Sequence, residues 1–79
     1  MSKKGELKRK IGDLEREIEA LEKKRARSQS ALMTAMLKKE KPDPADEEYF
    51  RVFTALIDGA RDEMRAAIAE LENLKKKKS

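Results

Sequence analysis

The sequence predicts an all-α fold, a two-helix antiparallel coiled-coil hairpin able to pair into a four-helix bundle. Three observations predict it. Charged residues make up 46% and aromatic residues 4% of 79 residues, with three glycines and two prolines, the composition of long surface-rich helices. Apolar residues recur alternately three and four apart in two long runs, the spacing of a heptad seam. Both prolines, Pro42 and Pro44, fall between those runs.

The first helix is expected over about 5–40. Leu7, Ile11, Leu14, Ile18 and Leu21 open its seam, which continues through Arg25, Ser28, Leu32 and Ala35 with a polar interruption at Arg25 and Ser28. A turn follows at about 41–44, because proline disfavours helix in the residue before it and lacks the N–H a helix interior needs. The second helix is expected over about 45–74, with Phe50, Phe53, Ile57, Ala60, Met64, Ala67, Leu71 and Leu74 as an unbroken seam. Residues 75–79 read as a basic tail, and the whole chain, 1–79, as one domain. So short a turn makes the helices antiparallel. Folding the chain at the prolines suggests a register in which facing residues sum to 85, pairing Leu14 with Leu71 and Leu32 with Phe53.

Composition also bounds function. The chain has no cysteine and no histidine, so it lacks thiolate chemistry and the commonest acid–base catalyst and metal ligand. The expectation is a non-enzymatic protein with no catalytic residues, no cofactor, no metal site and no small-molecule substrate. No apolar run approaches the ~20 residues of a membrane span, and "MSKKGELKRK" has no apolar stretch behind its positive start. A cytoplasmic protein with no membrane partner is expected.

The stretch "KPDPADEEYF" has two readings. Asp43 is a favoured N-cap residue, Pro44 suits the first helical position, and Asp46 falls where an acid can complete a capping box. Asp46, Glu47 and Glu48 all lie in a first turn, where the helix dipole favours acids. The same residues resemble the coiled-coil tip of the Gre transcript-cleavage factors, which reads G-D-x-x-E-N-x-E-Y. Asp43 and Asp46 keep the spacing of its acids, and Glu48-Tyr49 is similar to the E-Y that follows. That resemblance implies an RNA polymerase-binding regulator whose acidic tip, Asp43 and Asp46, helps hold a metal ion in the polymerase. A second resemblance is to the YscE-type partner proteins of type III secretion needle subunits, on the pattern "EEYFRVFTALIDGARDEMRAAIAEL". It implies a small chaperone-like hairpin.

The leading expectation is a protein–protein interaction module, an adaptor or chaperone-like partner. A hairpin has only one seam to bury, and chains of this size commonly gain stability by oligomerising. Near the turn, Met33, Met36, Leu37, Tyr49, Val52 and Leu56 exceed what the seam can cover, with Leu56 expected beside Ala31. They are the candidate partner-binding residues, for a partner helix or a second copy. Arg25 is expected to carry its guanidinium out of the seam toward Glu63. The basic residues at both chain ends meet at the open end of the hairpin, giving a basic pole. Nucleic-acid binding through that pole is the third reading, though it has no nearby aromatic residue for stacking.

Overall fold

The computed structural model describes residues 2–76. It consists of two helices, α1 (Lys3–Leu37) and α2 (Pro44–Lys76), packed antiparallel along their length. The rod they form measures 60 × 18 × 15 Å across its Cα atoms.

Helix α1 starts earlier than expected because Ser2 caps it. The Ser2 backbone is extended, and its hydroxyl accepts a hydrogen bond from the Gly5 N–H at 3.2 Å. Helix α1 also ends earlier. Lys39 adopts the left-handed conformation with φ of 57°. Its N–H bonds the Met36 carbonyl at 3.1 Å, and the Glu40 N–H bonds the Ala35 carbonyl at 2.9 Å. These two bonds form a Schellman cap, which stops the helix before the prolines are reached. Helix α2 begins as expected. The Asp43 carboxylate accepts from the Ala45 N–H at 2.9 Å, and the Asp43 carbonyl accepts from Asp46 and Glu47. Pro44, which has no N–H to leave unsatisfied, is the first helical residue. Helix α2 continues through Lys75 and Lys76, two residues past the expected end. The remainder of the expected basic tail, 77–79, lies outside the described residues.

Every expected seam position is buried or half-buried. Leu14, Ile18, Ile57 and Ala60 form one packed cluster with Leu21 and Met64 against it. Leu7, Ala67 and Leu71 form a second, with Ile11 and Leu74. Ile57 is the most deeply buried side chain, at 0% exposure.

The register differs from the expected one by a heptad. Leu7, not Leu14, shares a cluster with Leu71, while Leu14 joins Ile57 and Ala60. Facing residues therefore sum to about 78 rather than 85. Two physical causes favour this slip. First, the Schellman cap moves the fold-back point from the prolines to the middle of loop 38–43. A heptad seam can change register without losing its core face only in steps of seven, and the earlier fold-back draws it down one step. Second, the slip takes Ile57 away from polar Ser28 and sets it among Leu14, Ile18 and Leu21. It also moves Arg25 up to the aromatic end of α2, where its guanidinium lies 5.8 Å from the Phe50 ring centroid and donates to the Thr54 hydroxyl at 3.3 Å. Arg25 does leave the seam, but toward Thr54 and Phe50 and not toward Glu63.

Candidate functional site

All six candidate partner-binding residues are exposed in the hairpin. Leu37 is 83% and Met36 76% accessible, far more than seam-flanking residues need to be. Ile68 is exposed as well, an apolar residue directly after the seam position Ala67 and outside the candidate set.

These residues do not form one patch. A groove on one flank of the rod is lined by Lys24, Arg27, Ser28, Asp46, Tyr49 and Phe53. Farther from the turn on that flank, Leu56 lines a smaller groove with Glu17, Gly59, Ala60 and Glu63. Val52 lies between Tyr49 and Leu56 at helical spacing and is exposed, so Tyr49, Val52 and Leu56 make one apolar stripe. The opposite flank carries a groove lined by Leu32, Glu47, Phe50, Arg51 and Thr54. Met33 follows Lys24 by nine positions, about two and a half helical turns, which puts it on the side of α1 away from that stripe. Met36 and Leu37, three and four residues on, share its face. Leu56 therefore lies beside Glu17 and not beside Ala31, a consequence of the slipped register.

The aromatic end of the stripe is ordered by ring packing. Tyr49 stacks on Phe53 with centroids 6.1 Å apart and planes 20° from parallel. Phe53 is half-buried in the seam, so Tyr49 rests on a fixed ring with its outer face open to solvent.

Charges on the two flanks are arranged differently. Across the flank away from the stripe, Arg61 pairs with Glu22 at 3.4 Å, and the outer face carries Glu19–Lys23, Glu48–Arg51 and Asp62–Arg65 pairs. On the striped flank the pair at the open end is Lys3 with Glu70 at 2.9 Å. That hydrogen bond, together with the Glu70 charge, raises the Lys3 pKa above the usual lysine value. Closer to the stripe, Glu17, Lys24, Arg27 and Glu63 have no ion-pair partner among the described residues.

The two acids of the turn have separate surroundings. Asp43 uses its carboxylate to cap α2, while Asp46 lines the groove with Lys24, Arg27 and Tyr49. Among the described residues, no three His, Cys, Asp or Glu side chains are grouped to hold a metal ion, and no helix is long and apolar enough to cross a membrane. The chain matches no family model, no curated protein and no solved structure.

Proposed function

We propose that the chain is a non-enzymatic protein–protein interaction module that presents the Tyr49–Val52–Leu56 stripe to a partner helix. The observation that carries this reading is the exposure of that stripe on a rod whose own seam is already filled. Burying three such side chains at a partner gains about 25 cal/mol per Å² of apolar surface. The stripe's spacing, three then four residues, is that of anchors read by a facing helix. Rigid aromatic residues are efficient anchors because little side-chain entropy is lost on binding, and Tyr49 is already held by its stack on Phe53.

The test is affinity capture from the native host by the wild-type hairpin and by the triple variant Y49S/V52T/L56Q, with bound proteins identified by mass spectrometry. The triple variant should lose the bound helix-bearing protein, whether another protein or a second copy, while its circular dichroism stays helical. Equal capture by the two proteins would remove the stripe as the interaction surface.

A further inference from the structure

Gly59 has no reason to be glycine within the hairpin. It lies in the interior of α2, its φ is not positive, and a Cβ added there meets nothing within 4 Å. Glycine at such a position costs about 1 kcal/mol of helix stability relative to alanine. The space it leaves is on the striped flank, in the groove shared with Leu56 and Glu17. The charges of that flank are also sorted. Along α1, acidic Glu17 is followed by basic Lys24 and Arg27, and none of the three has an ion-pair partner among the described residues.

We infer that the occupant of this flank is a second copy of the chain, turned end for end about a two-fold axis normal to the rod. The inference rests on the stripe being an interaction surface and names its partner. An axis passing between Ala20 and Leu21 on α1 brings Lys24 opposite Glu17 of the second copy and Arg27 opposite Leu14, next to Asp13, whose carboxylate pairs with Arg16 of its own chain. In the observed register that level of α1 lies beside the Ile57–Asp58 level of α2. The same axis therefore sets Leu56 opposite Gly59 and Tyr49 opposite Ala66 in the other copy. The Lys24–Glu17 pairing on one helix and the Leu56–Gly59 packing on the other thus point to the same axis, which also sets Val52 opposite Glu63. Ala20 and Gly59, both small and exposed, sit near its centre and allow close approach. Placing the copies parallel would instead bring Glu17 level with Glu63 of the other copy, so like charges disfavour that arrangement.

The extent of overlap is sufficient. Turned about this axis, the copies overlap over 44–71 of α2, about 28 residues or roughly 42 Å at 1.5 Å rise per residue. With a rod width of 18 Å, that is a projected area of roughly 760 Å² per copy, close to the ~800 Å² per partner of a standard stable interface. The product is an isologous four-helix bundle with a basic pole at each end.

Sedimentation equilibrium on charge-swap variants tests the arrangement. Wild type should be a dimer. The variant K24E/R27E should raise the dissociation constant at least about tenfold, and adding E17K, which leaves the Asp13–Arg16 pair intact, should recover part of that loss, because the swapped 24–17 pair is attractive again. Gly59→Leu should give a helical monomer. Gly59→Ala should melt higher as a dilute monomer yet dimerise more weakly, a combination that helix propensity alone does not produce. A dimer indifferent to both charge sets, or unaffected by Gly59→Leu, would overturn the arrangement. Wild type that stays monomeric at about 1 mM would overturn self-pairing altogether. In that case a different protein captured by wild type and lost from Y49S/V52T/L56Q would leave the interaction-module reading standing.

Discussion

Leu7 shares a packed cluster with Leu71, and Leu14, one heptad along, does not. This pairing fixes which residues meet everywhere along the rod. It sets Arg25 against the aromatic end of α2 and encloses Ile57 among leucine and isoleucine. A cysteine pair at positions 7 and 71 should therefore cross-link readily on oxidation, whereas a pair at 14 and 71 should not. Mass spectrometry of the oxidised variants reads the outcome directly.

Ile57 carries more of the core than any other side chain. Ile57→Ala should cost about 2–5 kcal/mol, the range for truncating a fully buried aliphatic residue. Leu32→Ala, at a half-buried position beyond both apolar clusters, should cost much less. Chemical denaturation of the two variants compares them on one scale.

Arg25 gains a ring and a hydroxyl where a seam position would ordinarily gain a hydrophobic partner. A double-mutant cycle between Arg25→Ala and Phe50→Leu should give a coupling of about 0.5–1 kcal/mol, the strength of a partly exposed cation–π contact. A coupling of zero would mean that the guanidinium is held by Thr54 alone.

Asp43→Ala should lower stability by about 0.5–2 kcal/mol, with Asn or Ser at that position restoring most of it. Either side chain can still accept from the Ala45 N–H. If the carboxylate charge itself were needed, as the tip of a Gre-like factor would require, Asn would not substitute for it in polymerase-dependent transcript cleavage. The expected result is rescue of most of the stability by Asn, and no cleavage stimulated by any variant.

The Lys3–Glu70 pair gives a pH dependence of known sign. The folded-state pKa of Lys3 is raised by its hydrogen bond to Glu70 and by the Glu70 charge. The contribution is therefore fully present below the pKa of lysine in the unfolded chain and is lost as pH rises through the higher folded value. Glu70→Gln should move the Lys3 titration, followed by NMR at the side-chain nitrogen, back toward the usual lysine value. Because both side chains are exposed, the pair should weaken further in high salt.

The seam was legible in the sequence from end to end, because apolar residues alternately three and four apart fall on one face of a helix and of no other regular structure. The register was not, because a heptad repeat looks the same after a shift of seven. The deciding feature was Lys39, whose left-handed backbone closes α1; glycine is the usual residue there, and lysine gives no such signal. The start of α1 had a readable sign in Ser2, a preferred capping residue whose hydroxyl accepts from the Gly5 N–H. The candidate binding residues were legible as surplus apolar side chains. Their division between two flanks was implicit in the heptad, since residues just before the seam on both antiparallel helices share one side and residues just after it share the other. The significance of Gly59 needed the structure, because only the packed hairpin reveals empty space beside it.

The slender shape of the rod affects how its mass is read in solution. Its radius of gyration is 17.8 Å, whereas a compact globule of the same length would have about 11.6 Å. A globular protein with the observed radius would contain about 245 residues, roughly three times this chain. A single hairpin on a column calibrated with spherical standards will therefore elute earlier than its mass alone would place it, while equilibrium sedimentation, which is independent of shape, will count it as one.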